Sequence, residues 1–251
     1  MKHLKGLKVR LKLLTSLLCK GTDAWIDDFT KEISDIGWQY AGVLADSGPF
    51  DLMAKLDARQ FPVYDHLLAH DFVGGDRTLD SGWSSEPEVA RLVANLAFAL
   101  NAETVLETGC FVGFTTSHLA TALSQRGGNR SIHVIDGEQR FLKMTASNLQ
   151  QLGLAQLPVH PVCGRTQDAA AVARVPSSID FIFFDSDHSY NGVKREFEIY
   201  LPRLTKNGLA AVHDSILWPG VRRAVSELRD RFHVMTLATS RGCGISVLRR
   251  R

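Results

Sequence analysis

Apolar residues after position 85 form short continuous runs that alternate with amphipathic segments. The runs have the length and composition of buried strands, and the segments between them repeat apolar residues every three or four positions, as helices do. Strands are predicted at 103–108, 131–136, 157–162, 180–185 and 207–213. Helices are predicted at 86–100, 114–126, 138–152, 167–173, 190–204 and 219–231. This alternation predicts an α/β domain with a doubly wound, mostly parallel sheet.

The end of the chain breaks this alternation. Phe232–Thr239 and Gly244–Leu248 are two strand-like runs separated by only four residues. So short a connection makes a hairpin, because a parallel crossover needs a dozen residues or more. The expected fold is therefore a Rossmann-like seven-stranded sheet closed by a C-terminal antiparallel hairpin. We divide the chain into an N-terminal region with a helical extension, 1–83, and a main domain, 84–251.

The first 20 residues predict a basic amphipathic helix, with six Lys or Arg residues and no acid. Its apolar stripe is formed by Leu4, Leu7, Leu11, Leu14 and Leu18. Such a helix can lie on an anionic membrane surface, or it can pack on its own domain or on a second subunit. Both interpretations remain open, and we expect a homo-oligomer.

Charge and cysteine content argue against several classes of protein. The net charge is +2, but without the first 20 residues the chain has 23 basic and 27 acidic residues, which argues against a nucleic-acid partner. No run approaches the roughly 18 apolar residues that span a bilayer. The scattered cysteines predict neither a zinc site nor a disulfide framework, so a cytoplasmic location is expected; they are Cys19, Cys110, Cys163 and Cys243.

The first predicted strand runs into a turn with two glycines, Gly109 and Gly113, and then into a helix. Glycines at such a turn allow the backbone to bend sharply or to approach a ligand closely. The spacing is not the Gly-x-Gly-x-x-Gly of dinucleotide sites, and the acid Glu107 precedes the first glycine. A cationic cofactor without a phosphate group fits this loop better than a dinucleotide.

Acidic residues follow three of the other predicted strands. Asp136 ends the second strand, where its carboxylate can accept hydrogen bonds from both ribose hydroxyls of an adenosine, or can cap the next helix. Asp185 and Asp214 end the fourth and fifth strands. Two carboxylates at adjacent strand ends repel each other unless a proton or cation lies between them, and oxygen ligands suit Mg²⁺ or Mn²⁺.

This sheet pattern and these motifs resemble the class I S-adenosylmethionine-dependent methyltransferases. The segment Cys163-Gly-Arg-Thr-Gln-Asp168 looks like the adenine-binding Gly-x-Ser-Gln-Asp of catechol O-methyltransferase and its relatives. Thr166 could equally cap a helix. The resemblance implies that S-adenosylmethionine is bound by Glu107, Gly109, Cys110, Gly113, Asp136, Gly164, Arg165, Thr166, Gln167 and Asp185.

The likeness extends to the divalent-cation-dependent O-methyltransferases, especially the branch that methylates macrolide sugars. Asp185-Ser-Asp-His188 resembles its Asp-x-x-His segment, which implies Asp185 as metal ligand and catalytic residue and His188 as catalytic base. Asp214 matches the second metal-binding acid, whereas His213 stands where that branch has another acid and becomes a candidate third ligand. Alternatively, His188 caps a helix and His213 is a neutral histidine at the sheet edge.

The resemblance implies an O-methyltransferase whose Mg²⁺ or Mn²⁺ ion binds a vicinal diol and lowers its pKa, so that His188 can remove the proton. The expected acceptor is a small hydroxylated molecule, either a sugar or a glycosylated metabolite, and the resemblance implies that the region 1–83 includes a cap over this substrate. Two alternatives remain open from the sequence. One is a metal-independent methyltransferase, and the other is a non-catalytic protein that binds the cofactor and serves as a scaffold.

Overall fold

The computed structural model describes residues 83–251, so the predictions for the basic N-terminal helix and the cap region lie outside the described residues. Seven strands are present: β1 Thr104–Thr108, β2 Ser131–Asp136, β3 Val159–Cys163, β4 Ile179–Phe184, β5 Leu204–His213, β6 Phe232–Leu237 and β7 Ile245–Arg250. The helices are α1 Pro87–Ala99, α2 Phe114–Ser124, α3 Gln139–Gln151, α4 Ala169–Val172, α5 Tyr190–Tyr200 and α6 Pro219–Ser226.

The strands form one sheet in the order β3-β2-β1-β4-β5-β7-β6. The first five strands pair in parallel, and β7 runs antiparallel between β5 and β6. The predicted Rossmann-like sheet with its closing hairpin is therefore confirmed. Strand order reverses between β1 and β4, and such a switch point opens a crevice at the carboxyl edge of a parallel sheet.

Both faces of the sheet are covered, as the apolar runs predict. On β4, Phe181 and Phe183 pack on one side with residues of α1 and α2, whereas Ile182 and Phe184 pack on the other with residues of α5 and α6. Strand side chains alternate between faces, so only a strand buried on both sides is apolar throughout. The central strands are thus held rigidly, and the residues that follow them are well positioned.

The element boundaries differ from the sequence prediction mainly around Pro202. The helix predicted over 190–204 ends at Tyr200 and continues as a 3₁₀ turn, Leu201–Arg203, after which β5 starts at Leu204 instead of 207. Proline lacks the N–H that a continuing helix needs, which explains the early end. The last helix also ends early, at Ser226 rather than 231. Among residues 83–251, no helix has the length and apolar character to cross a membrane.

Candidate functional site

A cleft with a volume of about 720 Å³ lies along the carboxyl edge of the parallel strands. Its walls contain the predicted cofactor-binding and metal-binding residues, except Gly113, which does not line the cleft. We call the part around the loop after β1 and the end of β2 the cofactor half. The part around the ends of β4 and β5 is the acceptor half. Cofactor-half residues that line the cleft include Glu107, Gly109, Cys110, Asp136, Gly164 and Arg165.

The glycine loop needs both of its glycines. Gly109 has a φ of +78°, and a Cβ there would lie 2.2 Å from the carbonyl oxygen of Asp185. Gly113 has a φ of +84°, and its Cβ would lie 2.7 Å from Cγ2 of Thr145. Only glycine adopts such a backbone at little cost and leaves room for the neighbouring chain. The loop therefore lies directly against the start of the acceptor half.

Asp136 anchors this loop with its carboxylate. Its Oδ2 accepts hydrogen bonds from the backbone N–H groups of Cys110 and Phe111, both at 3.1 Å. Its Oδ1 accepts one from the N–H of Glu138 at 2.9 Å. Glu138, not Asp136, is the N-cap residue of α3, so the alternative of Asp136 as the helix cap is wrong. Carboxylate oxygens have further lone pairs, so the geometry also leaves capacity for a ligand hydroxyl.

Glu107 is almost completely buried at the floor of the cofactor half. Its Oε2 accepts a hydrogen bond from Thr116 Oγ1 at 2.6 Å, whereas its Oε1 has no hydrogen-bond partner among the described residues. Burial raises the pKa of Glu107 to about 8; the negative charges of Asp185 and Asp136 add to this, and Thr116 opposes it. A cation bound above Glu107 would favour its ionised form.

The segment after β3 reaches the cleft, but its side chains have other contacts. Thr166 lies in the wall, and its hydroxyl donates to the buried carboxylate of Glu196 on α5. Asp168 is the N-cap of α4, so Thr166 is not the helix cap. Gln167 lies in the wall too, with its Nε2 3.5 Å from the carbonyl oxygen of Gly192. The structure thus brings the segment to the cofactor half.

Glu196 is a buried acid that the sequence does not single out. Its Oε1 accepts hydrogen bonds from the hydroxyls of both Thr166 and Ser186, which come from loops after different strands. Burial raises the pKa of Glu196 to about 7, although both hydroxyls oppose the shift. Glu196 therefore ties the segment after β3 to the loop after β4. A glutamate within an amphipathic helix has no sequence signal that distinguishes this role.

The predicted metal-binding residues come together in the acceptor half. One ligand atom each of Asp185, His213 and Asp214 lies within 4.8 Å of the others. His213 Nδ1 is 2.9 Å from Asp185 Oδ1 and 3.8 Å from Asp214 Oδ2. Asp214 adopts a positive φ of 59°, which is uncommon for a non-glycine residue and typical of functional sites. This donor set of two carboxylates and an imidazole fits a divalent cation.

His188 joins this cluster from the loop after β4. Its Nε2 is 2.6 Å from Asp214 Oδ2. Ser189 caps α5 by accepting a hydrogen bond from Gly192 N, so the alternative of His188 as the helix cap is wrong. Burial alone would lower the pKa of His188, but contact with Asp214 raises it above its ordinary value. Conversely, burial would raise the pKa of Asp214, and the two histidines lower it.

Glu86, just before α1, is the main site residue that the sequence does not reveal. It is 0% exposed, and its Oε2 lies 2.7 Å from His213 Nε2. Burial would raise the pKa of Glu86, but His213, Thr239 and Arg241 lower it well below its usual range. Burial would lower the pKa of His213, but its acidic neighbours, above all Asp185, raise it well above the ordinary value, which favours the protonated ring over the neutral histidine of the alternative interpretation.

Comparison with known proteins decides the class of this site. Residues 106–215 match a family model described as a methyltransferase domain. The chain carries a methyltransferase domain. The expected class, the S-adenosylmethionine-dependent methyltransferases, is confirmed. The matched range extends from β1 through Ser215, and so it includes the glycine loop and all four acidic and imidazole side chains of the acceptor cluster. No match was found among curated protein sequences.

Solved structures with the same fold include several methyltransferases. The O-methyltransferase TomG from Streptomyces achromogenes, in complex with SAM, has 22% identity and a TM-score of 0.58, over 68% of this chain and 82% of that one. An O-methyltransferase from Bacillus cereus, in complex with SAH, has 17% identity and a TM-score of 0.61, over 84% of this chain and 100% of that one. The SAH-bound Podospora anserina methyltransferase PaMTH1 has 14% identity and a TM-score of 0.63, over 82% of this chain and 95% of that one. These likenesses show that the methyltransferase has the class I fold.

Proposed function

We propose that this methyltransferase transfers a methyl group from S-adenosylmethionine to a hydroxyl of a small molecule, with Mg²⁺ or Mn²⁺ bound by Asp185, His213 and Asp214. The observation that carries the proposal is the convergence of these three side chains next to the glycine loop, where Gly109 abuts the backbone of Asp185. A methyl donor in the cofactor half and a hydroxyl in the acceptor half would share one cleft. Neighbours solved with SAM or SAH support the cofactor.

In the cofactor half, Asp136 would accept the ribose hydroxyls, and Glu107 would lie beneath the positively charged end of the ligand. The segment Gly164–Gln167 would border the adenine, with Glu196 fixing Thr166 through its hydroxyl. These contacts orient the donor methyl group, which is already a good electrophile on a sulfonium. Alignment of the acceptor oxygen with that methyl group is then the main requirement, and correct positioning contributes strongly to rate.

In the acceptor half, Asp185, His213 and Asp214 would hold the cation. A bound divalent cation lowers the pKa of a hydroxyl that it binds. His188 would accept the hydroxyl proton, for which it must be neutral. Asp214 raises the pKa of His188, so neutralisation of the Asp214 charge favours the basic form of the imidazole. His188 therefore acts as a base whose strength depends on its carboxylate neighbour.

We further propose a vicinal diol of a sugar or a glycosylated metabolite as the acceptor. Trp218 borders the acceptor half with 41% of its surface exposed, and its ring centroid lies 5.1 Å from that of His188. An exposed indole beside a cluster of polar groups suits a ligand with one apolar face and several hydroxyls, as a sugar ring has. The O-methyltransferases among the structural neighbours support a hydroxylated acceptor in general.

The test is formation of S-adenosylhomocysteine, followed by mass spectrometry, with a panel of free sugars, glycosylated natural products and catechols. We expect turnover with a diol-containing acceptor, loss of turnover after exhaustive EDTA treatment, and recovery when Mg²⁺ or Mn²⁺ is added back. Failure of every acceptor class, with cofactor binding intact, would favour the non-catalytic alternative.

The metal-independent methyltransferase remains a second candidate because of one observation. His213 lies between the carboxylates of Asp185 and Glu86, and its raised pKa favours an imidazolium that supplies positive charge without a metal. Activity that survives exhaustive EDTA treatment would contradict the cation proposal and favour this candidate. The same assay thus separates the two forms of the proposed enzyme.

A further inference from the structure

Glu86 contacts a residue that is distant in the sequence, His213, 127 positions further along the chain. It precedes α1, and its side chain crosses to the end of β5. A buried carboxylate is costly unless other groups compensate its charge and fill its hydrogen-bonding capacity. The contacts of Glu86 therefore show which groups compensate its buried charge.

Each oxygen of Glu86 has a specific partner. Oε2 lies 2.7 Å from His213 Nε2 and 3.4 Å from Arg241 Nη2. Oε1 accepts a hydrogen bond from Thr239 Oγ1 at 2.7 Å, and the same hydroxyl oxygen accepts one from Gly244 N at 2.9 Å. The carboxylate is thus fixed from the hairpin side, with one oxygen directed at a single ring nitrogen of His213.

This contact determines which ring nitrogen of His213 faces the acceptor half. A carboxylate only accepts hydrogen bonds, so the Nε2 that faces Glu86 carries a hydrogen. Nδ1 faces the carboxylates of Asp185 and Asp214, where it would give up its own hydrogen to become the ligand of a cation. Metal-binding histidines generally donate their other ring N–H to a carboxylate or carbonyl, which fixes the ring and strengthens the ligand. The geometry of Glu86 and His213 matches that arrangement.

We propose that Glu86 is a positioning residue that holds His213 with Nδ1 directed into the cation site formed with Asp185 and Asp214. The inference rests on the proposed function for the cation itself. It adds that a residue outside the three ligands determines how strongly they bind the ion. Loss of such a supporting carboxylate typically weakens metal affinity about 10- to 100-fold.

The experiment measures Mn²⁺ affinity of the full-length protein by titration calorimetry and by electron paramagnetic resonance of free Mn²⁺. Glu86→Gln keeps the size of the side chain and removes its charge, and Glu86→Ala removes the contact. The matched control is Glu88→Gln, because Glu88 also lies at the start of α1 and accepts a hydrogen bond from the hairpin, from Ser240 N at 2.6 Å, without a contact to His213.

We expect Mn²⁺ affinity to fall about 10- to 100-fold in Glu86→Gln and further in Glu86→Ala, and to stay unchanged in Glu88→Gln. Affinity for S-adenosylhomocysteine, measured in parallel, should stay at the wild-type value in Glu86→Gln, which shows that the domain is folded. If Glu86→Ala does not fold, Glu86→Gln alone decides the outcome. Wild-type Mn²⁺ affinity in Glu86→Gln would overturn the role of Glu86 and leave the cation site standing.

Two other outcomes also overturn the inference. A wild-type protein that binds no Mn²⁺ at millimolar concentration would contradict the cation proposal and the role of Glu86 together. Glu86, His213 and Cys243 form a second group with ligand atoms within 4.8 Å of one another. A thiolate-to-metal absorption band with Co²⁺, abolished by Cys243→Ser, would make Glu86 a ligand instead of a positioning residue.

Discussion

Glu107 in the cofactor half and Glu86 in the acceptor half are both almost completely excluded from solvent, yet burial has opposite outcomes for them. The pKa of Glu107 is raised to about 8 by burial, with one hydroxyl donor and two acidic neighbours around it. The pKa of Glu86 is held well below its usual range, because His213, Thr239 and Arg241 outweigh the effect of burial. Equal burial therefore does not mean equal charge.

The contrast shows how the two halves differ in their need for a ligand. In the acceptor half, two histidines compensate the acids within the protein itself. In the cofactor half, Glu107 is left with one oxygen unpartnered among the described residues, so a cationic ligand would supply what the fold does not. We infer that the cofactor half gains most from its ligand, and the acceptor half is organised before its ligand arrives.

The largest effects are expected from the acceptor-half cluster. Asp214→Ala removes a proposed ligand and the partner of His188, so methyl transfer should fall by at least about 10³-fold, because metal assistance contributes several kcal/mol.

His188→Ala should lose roughly 10²–10⁴-fold in rate, as expected for loss of a positioned base, and retain Mn²⁺ and cofactor binding. Initial rates of S-adenosylhomocysteine formation measure both, with the exposed Glu227→Gln as the control variant. A near-normal rate for His188→Ala would remove its role as base.

The next effect concerns stability in the cofactor half. The folded-state pKa of Glu107, about 8, exceeds the ordinary value of 4.5, so the unfolded chain loses the proton at lower pH. Stability is therefore full below pH 4.5 and is lost as pH rises toward 8. Glu107→Gln removes this loss and should stabilise the ligand-free protein by roughly 3–5 kcal/mol at pH 8, and by under about 1 kcal/mol at pH 5.

Denaturant unfolding at the two pH values measures this effect. Glu103→Gln serves as control, because Glu103 is an exposed acid directly before the same strand. A stability gain for Glu107→Gln that is equal at pH 5 and pH 8 would show that the carboxyl group does not ionise within this range. The comparison with Glu86 would then lose its basis in charge.

Much of this cleft could be predicted from the sequence because parallel strands align their carboxyl ends at one edge. Apolar runs located the strands, so the acids after them, Asp136, Asp185 and Asp214, could be assigned to that edge without knowledge of any contact. The two glycines of the loop are likewise local requirements of a tight turn. Each of these predictions depends on a few consecutive residues and on the order of the strands.

Glu86 and Glu196 could not be predicted in the same way. Each acts through a contact between segments distant in sequence, with 127 positions between Glu86 and His213 and 30 between Thr166 and Glu196. An acid before a helix or within one is common on protein surfaces, and only tertiary packing makes these two buried. For the same reason, the sequence indicated that Thr166 lies in the cleft but not that its hydroxyl donates to Glu196.

A smaller effect is expected at Asp136, which belongs to the cofactor half but is partly exposed. Asp136→Ala removes the proposed acceptor for ribose hydroxyls and the anchor of the loop amides. Affinity for S-adenosylhomocysteine, measured by calorimetry, should fall by about 1.5–3 kcal/mol, the usual contribution of hydrogen bonds to a charged group. Glu138→Gln is the control, because that exposed side chain pairs with Arg140. Unchanged affinity in Asp136→Ala would remove it from the cofactor site.

The smallest effect is expected from deletion of residues 1–20. Their leucine stripe and lysines indicate a docking element, and every residue proposed to bind the cofactor lies between positions 107 and 185. The truncated protein should therefore bind S-adenosylhomocysteine with wild-type affinity in calorimetry, with circular dichroism as the check on folding. A folded truncation that fails to bind it would show that the cofactor half depends on this segment. A loss confined to acceptor turnover would instead assign residues 1–20 to the acceptor half, and would sharpen the difference between the two.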